Sequence, residues 1–252
     1  PAKKLVSYLK SLSQEDLEIR RMASDSTIQA MGVTFTVYTD EGNIDRAWPF
    51  DIIPRVIAKK QWDVASKGLE QRLQALNMFI DDLYHDQKII KDGIIPEFVL
   101  KQSANYRKEC EGVSPAYGVW AHICGTDLVR AGEGQFYVLE DNLRVPSGVS
   151  YMLENRETML QMFPELFSKI KVRPVSNYPK NLRRSLAACA PQSCTGKPTI
   201  AVLTPGIHNS AYFEHSFLAD QMGVELVEGH DLRVVDGHIA MRTTQGYKII
   251  DV

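Results

Sequence analysis

The chain has 252 residues, 44% of them hydrophobic and 24% charged, with a formal net charge of −2 and a pI near 6.4. These are globular values that support a buried core in one large or two ordinary domains and exclude wholesale disorder. There is no basic excess to meet a phosphate backbone, so no nucleic-acid partner is expected, and no apolar run approaches the ~18 residues that span a bilayer.

In chain order, SLSQEDLEIRRMASDSTIQAMG reads as a helix, with Ser13 as cap, Glu15 and Asp16 in the first turn and Gly32 at its end. VTFTVY (33–38) alternates and is β-branched, which predicts a strand. PFDIIPRVI, broken by Pro49 and Pro54, reads as an extended loop. From Trp62 to Tyr84, apolar residues step by three or four through Ala65, Leu69, Leu73, Leu76, Ile80 and Leu83, the pattern of an amphipathic helix with one buried stripe. After a loop around KDGIIP, VWAHICGTDLVR (119–130) and GQFYVLEDN (134–142) read as strands joined by the turn AGEG. SYMLENRETMLQMF is a further helix, stopped near Pro164.

Residues 171–198 carry Pro174, Pro179, Pro191 and Pro198, marking a boundary region with one helix, NLRRSLAACA. Beyond it PTIAVLTPG, SAYFEHSFLADQMG and VELVEG read strand, helix, strand, a βαβ unit of Rossmann type. LRVVDGHIAMRT is a hairpin turning at Asp236 and Gly237. The four cysteines form no CxxC and no ligand-spaced set with the histidines, which suits reduced thiols. PAKKLVSYLK lacks a signal-peptide core, so a cytoplasmic protein is expected. A start on Pro1 and an end on the strand pattern GYKIIDV suggest a fragment of a longer protein.

The hairpin carries the chemistry. With AGEG as a four-residue turn, Arg130 faces Gln135, Asp127 faces Val138 and Gly125 faces Glu140. Side chains alternate along a strand and paired residues share a face, so Asp127, Glu140 and Asn142 project to one side and Asp141 to the other. A slip of one residue would separate Asp127 from the other two. Two anionic donors and one neutral oxygen suit Mg²⁺, which takes one or two carboxylates beside waters and phosphates. A solvated polar face is the competing reading.

Other groups invite attention. In TPGIHNSAYFEH, Gly206 permits a tight turn, and Asn209 or Ser210 can cap a helix whose free amides make an anion site; ordinary capping is the plainer reading. GxGxxG is absent, as is the GxSxG elbow of a serine hydrolase. His215, next to Glu214, reads as a packed or surface histidine rather than a base.

Asp127, Glu140, the E-x-N spacing to Asn142 and the phrase GQFYVLEDN resemble the metal-binding segment of ATP-grasp ligases. The order of segments, with GVTFTVY, PFDIIPR, LEDNLRVPSGVSYMLENR, TPGIHNSAYFEHSFLADQMGVELVEG and RTTQGYKIIDV, closely resembles the type 2 branch of the circularly permuted ATP-grasp proteins, related to glutathionylspermidine synthase. The resemblance implies an α/β fold, with an ATP-grasp-like mixed or antiparallel sheet and helices followed by a Rossmann-like pre-ATP-grasp βαβ unit. The resemblance covers the chain from about Gly32 onward, and with the local reading it gives segments at 1–31 (helical), 32–170 (metal-carrying), 171–198 (linker) and 199–252 (βαβ). It implies Mg²⁺ on Asp127, Glu140 and Asn142, and ATP near Ser147 and Gly148 of RVPSG. Arg55, Arg130 or Arg144 would steady the transferred phosphate, since Gly125 stands where many such ligases have arginine, and Asn209 and Ser210 would line a substrate pocket. The implied activity joins a small carboxylate or peptide-like substrate to an amine, with the fragment inactive if the downstream nucleotide-gripping half is missing. A non-catalytic binding or scaffold module, or a kinase using the same phosphate clamp, are the alternatives.

Overall fold

A computed structural model describes residues 2–39, 42–132 and 134–252. Contacts divide the chain into two compact units, one of 1–56 with 147–252 and one of 57–146. This division is not linear in sequence and differs from segments cut at 31, 170 and 198. Helices early and late in the chain share one core.

The first unit is built round α6 (Val149–Met162). Its Met159 and Met162, with Phe163 and Leu166 of α7 (Pro164–Lys169), pack with Leu5 of α1 (Ala2–Leu9) and with Ile52. Ala2–Leu9, in the segment expected to be helical, thus forms a helix anchored by Leu5. Helix α2 (Gln14–Ala30) starts on a reciprocal capping box between Ser13 and Asp16, as the sequence signals. Its Ile28 joins Val33 and Tyr151 in a second buried cluster.

Strand β1 (Thr34–Thr39) pairs antiparallel with β2 (Gly42–Ala47). GNIDRA was invisible as a strand because Gly, Asn and Asp are poor strand formers, and pairing with β1 overrides that preference. After α8 (Tyr178–Ala187), β5 (Ala201–Leu203) pairs in parallel with β6 (Glu225–Val227) through α9 (Tyr212–Met222). The Ala201 amide also bonds the Val252 carbonyl, tying the last residues beside β5. A three-stranded antiparallel sheet, β7 (Leu232–Val235), β8 (His238–Thr243) and β9 (Gly246–Ile249), completes this unit. Asp236 and Gly237 both have positive φ at the β7–β8 turn, which is what a two-residue hairpin of matching twist requires.

The second unit is α3 (Lys59–Tyr84) with the hairpin β3 (Gly125–Arg130) and β4 (Phe136–Asn142). Two departures from expectation have physical causes. First, 119–124 is not strand, because the Asn77 side chain accepts from the Trp120 and Ala121 amides at 2.8 and 2.9 Å and removes them from any ladder. Second, the α3 stripe is only half-buried and no α3 residue is fully buried, because a two-stranded hairpin is too narrow to cover 26 residues of helix. Short helices α4 (Lys88–Lys91) and α5 (Glu97–Lys101) flank KDGIIP. Among the described residues no helix is long and apolar enough to cross a membrane, and none of the four cysteines is in a disulfide.

Candidate functional site

The β3–β4 register differs from the turn-based expectation. Arg130 faces Phe136 and Leu128 faces Val138, while Ala131 bonds Gln135 through its amide at 2.9 Å. Glu133 of the turn lies outside the described residues. A regular ladder continued from this register would set Asp127 and Glu140 on opposite sides. A bulge between Asp127 and Leu128 intervenes: Leu139 is left without a partner and Asp127 falls directly opposite Glu140. Asn142 lies opposite Gly125. Asp127, Glu140 and Asn142 therefore share a face, by a bulge rather than by the turn.

That face is open. Asp127 and Glu140 are exposed, with Val129, Tyr137 and Leu139 beside them. Neither carboxylate has a basic partner among the described residues, and like charges set opposite on a ladder repel. Asn142 donates its amide N–H to Glu140 Oε1 at 3.2 Å, which leaves its Oδ1 as an acceptor. Two carboxylates and one amide oxygen on an open face fit Mg²⁺ by donor chemistry. No group of three His, Cys, Asp or Glu side chains among the described residues is arranged for a metal, so the set depends on Asn142 as the third donor.

The opposite face faces α3. Arg72 grips Asp141 with Nε at 2.7 Å and Nη2 at 2.6 Å, and Thr126 Oγ1 donates to Asp141 Oδ1 at 2.9 Å. The Arg72 guanidinium, chiefly, and the Thr126 hydroxyl hold the Asp141 carboxyl below the usual carboxylate range. Arg130 belongs to this face too. Its Nη2 donates to Gln61 on α3 at 3.1 Å, so the structure does not bring Arg130 to the acidic side. Arg144 is exposed just beyond Asn142, and Arg55 is exposed in the irregular stretch of the first unit. Between α3 and the hairpin runs a largely apolar groove of about 940 Å³, lined by Val64, Leu69, Leu76, Leu128, Phe136 and Val138 among others.

At the start of α6, Ser147 and Gly148 are exposed, and Gly148 has a φ of 110°, which its missing Cβ permits. The Gly148 amide is already engaged. It donates to both oxygens of Glu214 at 2.7 and 2.8 Å, and the Ser150 amide reaches Glu214 Oε2 at 3.2 Å. Glu214, only 4% exposed, thus caps α6 from α9. The sequence did not disclose this role, since the only hint is a helix start without a Ser, Thr, Asp or Asn cap of its own. Its neighbour His215 is packed: Nδ1 lies 2.9 Å from the Thr204 hydroxyl, and burial pushes its pKa down.

Asn209 and Ser210 line a cavity of about 460 Å³ alongside α9. Asn209 Oδ1 accepts from the Ala211 amide at 2.9 Å, closing a turn just before α9, and the helix start itself has no side-chain cap.

The mixed α/β architecture, with small sheets and several helices, is consistent with the ATP-grasp class. Residues 54–252 match the family of circularly permuted ATP-grasp proteins, type 2, and the chain belongs to that family. An uncharacterised protein of Synechocystis is 51% identical over 98% of this chain and 51% of its own length. An uncharacterised protein of Mycobacterium tuberculosis is 44% identical over 100% of this chain and 45% of its own. A Frankia casuarinae protein named "Putative glutamate–cysteine ligase 2-2" is 41% identical over 84% of this chain and 24% of its own. The chain spans about half the length of the first two relatives.

Proposed function

We propose that this chain supplies the metal-binding half of an ATP- and Mg²⁺-dependent carboxylate–amine ligase. The observation that carries the reading is the pairing of Asp127 with Glu140, two uncompensated carboxylates on an open face with Asn142 beside them. Family membership and the ligase name of the Frankia relative support it. Asp127 and Glu140 would supply anionic oxygens and Asn142 a neutral one, so that the cation is not over-bound. Mg²⁺ bound there supplies charge neutralisation for phosphoryl transfer. The γ-phosphoryl moves to a substrate carboxylate oxygen: a new O–P bond forms, the bridging O–P bond breaks, and ADP leaves. An amine nitrogen then attacks the acyl carbon, a C–N bond forms, inorganic phosphate leaves, and the nitrogen loses a proton. Asp141, clamped by Arg72 and Thr126, fixes the strand from which Glu140 and Asn142 project. Arg144, exposed two residues beyond Asn142, is the arginine that remains for the transferred phosphate in this unit. Ser147, beside a Gly148 amide already bound to Glu214, would approach the nucleotide through its hydroxyl. The βαβ unit of β5, α9 and β6 serves as the Rossmann-like pre-ATP-grasp part.

The test is Mg²⁺-dependent ADP release by the intact protein supplied with carboxylate and amine mixtures. Glu140→Ala should lower turnover by about 10²-fold or more, the scale for losing one electrostatic stabiliser of a transfer reaction. Release that proceeds unchanged in Asp127→Ala and Glu140→Ala overturns the reading. Phosphorylated product without amide would point to a kinase instead.

A further inference from the structure

The cavity beside α9 has a chemistry that the carboxylate or phosphate expected near Asn209 and Ser210 does not suit. Phe213, Phe217 and Asp220 recur at four and three residues along α9, so they lie on one face and line the cavity together. Asp220 is the one charged side chain among the described lining residues, and none is basic. The Ala211 amide, just before α9, is bonded by the Asn209 side chain and the Tyr212 amide by the Asn209 carbonyl, so two amide donors beside the cavity are already engaged. Asp220 sits in the last turn of α9, where the helix dipole is negative and favours a cation.

The aromatic wall is rigid. Phe213 and Phe217 have centroids 5.7 Å apart, and Tyr151 lies 5.3 Å behind Phe213. Tyr151 stacks on Trp48 at 4.1 Å and 13°, and its hydroxyl donates to the Thr34 carbonyl at 3.0 Å. Trp48 is fixed in turn by Asn155 at 3.0 Å. Ring faces held in place, with a carboxylate at one end and no competing cation, are the elements of an ammonium site.

We infer that this cavity binds an organic ammonium ion with an apolar arm, the arm along Phe213 and Phe217 and the ammonium at Asp220. It rests on the ligase reading for one point only, that this ligand is the amine substrate. The volume of about 460 Å³ suits a small molecule rather than a peptide.

The probe is benzylammonium chloride titrated into the protein without ATP or Mg²⁺, with sodium phenylacetate as the charge-reversed control, followed by calorimetry or ligand-observed NMR. Benzylammonium should bind and phenylacetate should not. Asp220→Asn should weaken binding about tenfold, equivalent to ~1.4 kcal/mol. Phe217→Leu should weaken it roughly two- to tenfold, the scale of an aromatic pair. Asp220 is exposed, so Asp220→Asn should keep the parent melting temperature, and a variant that melts as the parent does reports binding alone. Equal or tighter binding of phenylacetate, or benzylammonium binding unchanged in Asp220→Asn, overturns the proposal. If the amine binds as described but Glu140→Ala leaves ADP release intact, the ligase reading fails and the ammonium site stands. If ADP release depends on Glu140 but no amine binds, the site fails and the ligase reading stands.

Discussion

Two regions of this molecule use carboxylates in opposite ways. On the β3–β4 hairpin, Asp127 and Glu140 face each other in the open, without a cation among the described residues. At the start of α6, Glu214 is buried and accepts from two backbone amides. The first arrangement stores repulsion that folding does not relieve, and the second satisfies amides that folding would otherwise strand. On the reading proposed above, the exposed and unpaired carboxylates serve the chemistry, while the buried and fully partnered one serves the architecture.

The contrast can be broken by substitution. If it holds, Asp127→Ala, like Glu140→Ala, costs about 10²-fold or more in Mg²⁺-dependent turnover yet leaves the melting temperature level or slightly raised. A matching fall in melting temperature would make the pair structural and dissolve the contrast. Glu214→Ala should do the reverse. Stranding the Gly148 and Ser150 amides should lower stability by about 1–3 kcal/mol, read by urea denaturation.

A third carboxylate sharpens the comparison. Asp141 lies between Glu140 and Asn142 but is gripped by Arg72, which lowers its pKa. Its unfolded pKa is higher, so the stabilisation is complete above the ordinary aspartate range and is lost as pH falls through the lowered folded value. Melting temperature measured from pH 7 to pH 2 should show an acid loss that Asp141→Asn reduces, the other carboxylates held low contributing the rest, and an unchanged acid limb would place the clamp elsewhere. The smallest effect is expected at Ser150, whose buried hydroxyl has no hydrogen-bond partner. Ser150→Ala should be neutral or stabilising by up to ~1 kcal/mol in the same denaturation assay, since no bond is lost.

Local signals were legible where they are local in physics. The Ser13 cap, the α3 period and the Asp236–Gly237 turn all follow from interactions within a few residues. The shared face of Asp127, Glu140 and Asn142 was also legible, although the register behind it was not, because no residue near Leu139 announces a bulge. The Arg72–Asp141 clamp spans 69 residues and the Glu214 cap spans 66, and such pairings carry no mark in sequence. Strand GNIDRA and the non-strand 119–124 depart from their local sequence signals for the same reason: a partner elsewhere in the chain, β1 for one and Asn77 for the other, decides their backbone bonds.

The unpartnered Leu139 has a consequence for how such proteins vary. An odd spacing between acid and acid cannot meet across a regular hairpin whose other rungs are spaced evenly, so one supernumerary residue restores the phase. Point substitutions leave that phase intact, and removing Leu139 would keep Glu140 opposite Asp127 and Asn142 opposite Gly125 while straightening the strand that carries them.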